Sequence, residues 1–169
     1  MNTSNNKGPL AGIKVIEMST VVFGPYGAQI LADLGAEVIK VETDSGDVMR
    51  LPGNTPVKGM GPIYMALNRN KQSIKLELKN PAALGAMRIL LADADVFYTN
   101  VRMGGLERLG LSYELVKEIN PNILFVHCTG FLLHYCGNCR SRYHQSYLGR
   151  WFMCANTKPG SVEVTSGRP

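Results

Sequence analysis

Between Gly12 and Glu42 the chain reads GIKVIEMSTVVFGPYGAQILADLGAEVIKVE, and the spacing of its apolar positions changes twice along that stretch. Ile13, Val15 and Ile16 form a short β-branched run that predicts a strand. Ile30, Leu31 and Leu34 recur at helical spacing, and Ala36 to Val41 returns to an apolar strand ending in Glu42. The segment is one βαβ unit, the building block of parallel sheets that bind ligands at the carboxyl ends of their strands. Its ligand end is the turn Val21-Val22-Phe23-Gly24-Pro25-Tyr26-Gly27. There Gly24 and Gly27 let the backbone approach a ligand closely, and Pro25 can open the helix.

The alternation continues. Ser73 to Leu78 predicts a strand, and Pro81 to Ala92 a helix capped by Asn80, with Leu84, Met87, Leu90 and Leu91 as its buried face. Ala94 to Tyr98 is the next strand. A turn around Gly104-Gly105 leads to short helices near Leu106 and from Ser112 to Ile119, and Asn122 to Cys128 is a further strand ending at Thr129-Gly130. Repeated βαβ order predicts an α/β fold with a doubly wound, mostly parallel sheet. Thr43 to Gly61, rich in Gly, Pro and Asp, reads instead as a surface excursion. In and after it, Arg50 and the run Asn68-Arg69-Asn70-Lys71 are candidate anion contacts, set against the plainer reading of loop cations facing water.

Composition narrows the classes. With 169 residues, 45% hydrophobic and 18% charged, the chain has material for one ordinary core, hence one domain or part of one. The opening MNTSNNKGPL lacks the apolar segment of a signal peptide, and no run is apolar enough to span a membrane, so a cytoplasmic location is expected. The net charge of +5 is thinly spread, without the basic clusters and interleaved aromatics of a nucleic-acid face. A small anionic ligand suits it better. FGPYGAQ is not a GxGxxG fingerprint, and Glu42 alone is weak support for ribose binding, which weakens a nicotinamide reading.

The ordered segments GPLAGIKVIEMS, FGPYGAQILADLGAEVIKVE, GD, NRNKQSIKLELKNP, ADVFYTN, GGLERLGLSYE and INPNILFVHCTGF together resemble the family III acyl-CoA transferases, also called the CaiB/BaiF family. The likeness runs over about residues 8 to 131. It implies a Rossmann-like coenzyme A-binding portion over 8–131, incomplete relative to the full family fold, and a divergent tail over 132–169 leading toward the catalytic segment. It also implies acyl-CoA and carboxylic acid substrates, coenzyme A as the only cofactor-like group, no metal, no nucleic-acid or membrane partner, and an interlocked homodimer. Carried over by position, Val22, Phe23, Leu76, Lys79, Asn100 and Arg108 would line the coenzyme site. Arginine offers bidentate donors and lysine a point charge to its phosphates. The alternative for Lys79 and Arg108 is an ordinary surface cation.

In that family an aspartate attacks the acyl-CoA thioester, and by register this nucleophile would fall a few residues beyond Pro169. No catalytic residue is therefore assigned within the chain. Asp33, Asp44, Asp47, Asp93 and Asp95 read as helix, turn and capping residues. The expectation is a truncated form, inactive alone and of low stability, with apolar surface left uncovered. Between Phe131 and His144 the chain reads LLHYCGNCRSRYH where the family has a glycine-rich run. Tyr143 fits the pattern, but His144 replaces an acidic residue and the histidine-aspartate pair of the α-methylacyl-CoA racemase branch is absent. A locally altered reading frame that recovers near Gln145 accounts for this. Comparing all frames of the coding DNA tests it.

That stretch holds a CxxC, Cys136 and Cys139, near His134 and His144. The spacing lacks the longer finger that separates two zinc-ligand pairs, so no metal site is assigned; redox activity is the other reading of the pair. His127, ending an apolar strand, reads as a satisfied core residue. Two alternatives stay open beside the transferase: a non-catalytic coenzyme A- or nucleotide-binding or interaction module, and the racemase branch.

Overall fold

The computed structural model describes residues 8–129 and the backbone of 152–156. Strands β1 (Lys14–Met18), β2 (Glu37–Glu42), β3 (Lys71–Lys75), β4 (Val96–Thr99), β5 (Leu124–Thr129) and β6 (Phe152–Asn156) form a single sheet in the order β3-β2-β1-β4-β5-β6. The first five are mutually parallel, and β6 runs antiparallel to β5 on the edge. Helices α1 (Phe23–Asp33), α2 (Pro62–Leu67), α3 (Pro81–Ala92), α4 (Met103–Arg108) and α5 (Tyr113–Ile119) accompany them. The doubly wound, mostly parallel α/β sheet expected from the sequence is the observed one.

Central parallel strands are covered on both faces and are therefore apolar almost throughout. Alternate residues of β1 feed two separate clusters. Ile16 and Met18 join Phe97, Phe125, Met87 and Leu91 of α3, Leu106 of α4 and Val116 of α5 on one face. Val15 joins Val38, Tyr98, Val126 and the α1 residues Ala28 and Ala32 on the other. Phe97 and Phe125 meet edge to face with ring centroids 5.3 Å apart. No helix among the described residues is long and apolar enough to cross a membrane.

Local signals placed several elements correctly. Asn80 caps α3, its side-chain oxygen accepting from the Ala82 N–H at 2.9 Å, with Pro81 in the first turn where no N–H is needed. Ser112 caps α5 in the same way through Leu115. One expected boundary needs correction, and two elements gain detail. The buried side of α1 is formed by Gly24, Pro25, Ala28, Gln29 and Ala32, while Ile30 and Leu34, whose spacing marked the helix, are exposed. The reason is a close approach to the sheet: a Cβ added at Gly27 would stand 2.2 Å from the Tyr98 hydroxyl, so only small residues fit beneath the helix. We expect Gly27→Ala to cost about 1–3 kcal/mol by overpacking against this buried tyrosine. Urea denaturation checks it.

The strand expected over Ser73 to Leu78 instead runs from Lys71 to Lys75. Its partner β2 ends at Glu42, opposite Lys75, so Leu76 makes the last bond, N–H to the Glu42 carbonyl at 2.8 Å, and the chain turns away. Residues 43–61 are largely exposed, as a surface excursion should be, but Asp47 and Arg50 within them are tied to Lys40 and Glu42 of β2. They contain a single 3-10 turn (Val48–Arg50) and lead into α2, which hydropathy did not predict.

Candidate functional site at the carboxyl edge of the sheet

Strand order reverses between β1 and β4, since β1 continues to β2 on one side while β4 continues to β5 on the other. In open parallel sheets a crevice forms at that switch point, outside the carboxyl ends of the strands. Here the segments leaving the two strands are tied together. Asn100, just past β4, accepts from the Thr20 N–H at 3.0 Å and donates to the Thr20 carbonyl at 2.9 Å. Thr99 Oγ1 donates to the Met18 carbonyl and accepts from the Val101 N–H. A Cβ at Gly24 would lie 2.6 Å from the Ser19 Cβ and 3.1 Å from Asn100 Nδ2, so the first turn of α1 closes onto this corner only because position 24 is glycine. Val21 sits at φ +72°, a left-handed conformation that a β-branched residue rarely adopts.

Beneath the corner lies a group of charges that hydropathy alone did not place. Glu17 of β1 and Lys40 of β2 are fully buried, Lys40 pairing with Glu17 at 3.3 Å and with Asp47 at 3.0 Å and donating to the Ser19 carbonyl at 2.8 Å. Lys71 pairs with the other oxygen of Glu17 at 2.7 Å and donates to the Pro25 carbonyl at 2.8 Å. Burial pulls the Lys71 ammonium below its ordinary value, against the raising effect of Glu17. Ser19 Oγ donates to Glu17 at 2.5 Å. A glutamate and a lysine inside otherwise apolar strands were the sequence signal for this cluster.

Next to it Glu42 accepts from Arg50 Nε and Nη2 at 2.7 Å each, Ser73 Oγ at 2.6 Å, Tyr64 Oη at 3.0 Å and the Asp47 N–H at 2.8 Å. Burial raises its carboxyl, but Arg50 foremost and the other donors outweigh that and hold it at about 2. Tyr64, desolvated and facing that carboxylate, is pushed up to about 12. Arg50 also stacks 3.8 Å above the Tyr64 ring.

The candidate anion contacts are therefore spoken for. Arg50 holds Glu42, and Asn68 and Lys71 join the buried cluster, whereas Arg69 and Asn70 pair with Asp33 while staying exposed, as the plainer reading of loop residues facing water expects. Asp47 caps the 3-10 turn, Asp93 pairs with Lys14, and Asp95 accepts from the Lys14 N–H at 2.8 Å, as structural aspartates should. His127 is half-buried with Nε2 at 2.9 Å from the Val101 carbonyl, in keeping with a satisfied core residue. His134, Cys136, Cys139, Tyr143 and His144 lie outside the described residues.

Of the residues expected to line a coenzyme site, the structure brings Val22, Phe23 and Asn100 to one corner. Val22 caps α1 and is 43% exposed, Phe23 is the first residue of the helix, and Asn100 fixes the preceding loop. Leu76 and Lys79 follow β3 on the same edge, two strands from β1 or roughly 10 Å across. Leu76 rests half-buried on the apolar cluster and Lys79 is exposed. Arg108 ends α4 and is exposed. Neither cationic side chain, Lys79 nor Arg108, has a hydrogen-bond or ion-pair partner among the described residues, in contrast to Arg50 and Lys71.

The profile of CoA-transferase family III matches residues 10–143. The chain belongs to this family. It is 41% identical over 134 residues to the succinate–glutarate CoA-transferase of Agrobacterium fabrum, an alignment covering 75% of this chain and 34% of that protein. It is likewise 41% identical over 128 residues to the human succinyl-CoA:glutarate CoA-transferase, covering 75% of this chain and 29% of the relative. Among solved structures, a CaiB/BaiF family protein from Brucella suis superposes with a TM-score of 0.67 at 40% identity, over 70% of this chain and 32% of that one. The chain thus spans about a third of the length of the curated family III relatives it matches.

Proposed function

We propose that this chain carries the coenzyme A-binding part of a transferase that moves coenzyme A between an acyl-CoA thioester and a carboxylic acid. The observation that carries the reading is the Asn100-locked corner at the switch point, where Val22 and Phe23 stand beside a loop tied to both strands. Val22, Phe23 and Leu76 supply apolar contacts, Asn100 orients the loop, and Lys79 and Arg108, whose side chains have no partner among the described residues, meet the phosphates.

The chemistry that the family resemblance brings to this site is covalent catalysis by a carboxylate. An aspartate oxygen attacks the thioester carbonyl carbon and expels the coenzyme thiolate, leaving a mixed anhydride. The thiolate then attacks the aspartyl carbonyl and releases the first acid; the incoming carboxylate attacks the aspartyl thioester, expelling the thiolate and forming a second anhydride, and the thiolate attacks its acyl carbon to give the new acyl-CoA and free the aspartate. Asp33, Asp47, Asp93 and Asp95 are held by structural partners and Asp44 is exposed on the segment after β2; the family register puts the nucleophile outside the described residues. On this reading the 169-residue chain exchanges no acyl groups alone, the assembled enzyme is an interlocked homodimer, and it works in the cytoplasm. Acyl exchange by the purified chain would overturn the first of these.

Calorimetric titration with coenzyme A tests the binding reading. We expect saturable binding, weakened about tenfold or more in Arg108→Ala through loss of a charge-assisted contact, with the fold unchanged because Arg108 is exposed and its side chain has no partner among the described residues. A folded chain that binds no coenzyme A would refute it and favour the non-catalytic module.

A further inference from the structure

Glu17, Lys40, Asp47 and Lys71 have side chains no more than 1% exposed, and together they form a neutral set of two cations and two anions. Burying such a set costs desolvation that apolar replacements would avoid, so stability alone does not account for it. Its contacts point to another purpose. Lys40 donates to the Ser19 carbonyl, Asp47 accepts from the Val21 N–H at 3.4 Å, and Lys71 donates to the Pro25 carbonyl, so the network grips the β1–α1 connection at its start and middle and the first turn of α1 beyond it. Between those grips Val21 is held at φ +72°. A β-branched residue there costs roughly 1–3 kcal/mol and persists only where its surroundings over-determine it.

We infer that Glu17, Lys40, Asp47 and Lys71 are positioning residues of the coenzyme loop, fixing Ser19, Val21 and Pro25 in the conformation that receives the ligand. Glu17 is the hub, one oxygen facing Lys40 and the other Lys71. The inference rests on the coenzyme A reading of the site.

The test is the paired variant Glu17→Gln with Lys71→Met in the full chain. It removes one charge of each sign and leaves Lys40 with Asp47, so no buried charge is stranded. Two readouts separate positioning from mere support: titration with coenzyme A, and amide hydrogen exchange across residues 19–26 without ligand. We expect native circular dichroism, coenzyme affinity reduced tenfold or more, and exchange in 19–26 accelerated tenfold or more while β4 and β5 keep their protection. A lower melting temperature with affinity and loop exchange unchanged would overturn the proposal. Should the natural chain bind no coenzyme A, the ligand reading fails, while the exchange measurement still decides whether the network holds the loop. If the paired variant does not fold, Asp47→Asn, which keeps an acceptor for Val21 and loses only the charge facing Lys40, carries the same two readouts.

Discussion

Glu17→Ala is expected to destabilise the folded chain by about 3–5 kcal/mol, because removing one partner leaves a buried charge uncompensated. Lys71 would keep an ammonium that is 1% exposed while losing the carboxylate 2.7 Å away, and Lys40 would retain only Asp47. Folded domains hold about 5–15 kcal/mol in all, so the loss takes a large share of the total. For a chain of this size it lowers the melting temperature by roughly 2–4 °C for each kcal/mol. The pH dependence identifies the cause. Burial already pulls Lys71 below its ordinary 10.5, and without Glu17 nothing of comparable proximity raises it. The unfolded chain then binds more protons than the folded one, so the variant's stability rises with pH across the interval below the ordinary lysine value. Urea midpoints at several pH values check this. A loss under about 1 kcal/mol, flat with pH, would mean that solvent reaches Lys71 once the carboxylate is gone.

The second large effect is acid sensitivity centred on Glu42. Its carboxyl titrates at about 2 in the folded chain against an ordinary 4.5, burial acting to raise it and the bonds from Arg50, Ser73, Asp47 and Tyr64 together lowering it further. For a depressed acid the contribution is fully present above the unfolded value and is lost as pH falls through the folded one, so the window runs from 4.5 down to about 2. At about 1.4 kcal/mol per unit the effect is on the order of 3 kcal/mol. Glu42→Gln should flatten that limb while lowering stability at neutral pH, since the amide cannot match two short bonds to Arg50. Denaturation curves in the natural chain and the variant across this window test it. Identical slopes would assign the acid sensitivity to other carboxylates.

The two predictions meet at one place, because Asp47 donates its N–H to Glu42 and lends its carboxylate to Lys40. Within the exposed segment 43–61, Asp47 and Arg50 thus form a strut between the switch-point corner and the edge of the sheet. A change in Arg50 or Tyr64 should be felt at the Val21 loop through Asp47, whose side-chain oxygen faces the Val21 N–H.

Much of this protein is legible along its sequence alone. Strand, glycine turn, helix and strand between Gly12 and Glu42, the Asn80 cap and Pro81 start of α3, and the short helix from Ser112 to Ile119 depend on residues within a few positions of one another. Short-range sterics and hydrogen bonding suffice to specify them. The family was legible too, from the order of linked segments, and the profile over residues 10–143 bears that out. Only tertiary structure decided the rest. The inward side of α1 turned on Tyr98, far along the chain from Gly27: helical spacing of Ile30 and Leu34 marked the helix, but close approach to the sheet put Ala28 and Ala32 inside. The end of β3 was set by where β2 stops. Arg50 and Lys71 read as loop cations until Glu42 held the first half-buried and Glu17 the second buried, and Asn100 acquired its role only on meeting Thr20, 80 residues earlier. Whether a charge or a small residue ends up inside depends on which distant strand arrives beside it, and a linear pattern of apolar positions carries no record of that partner.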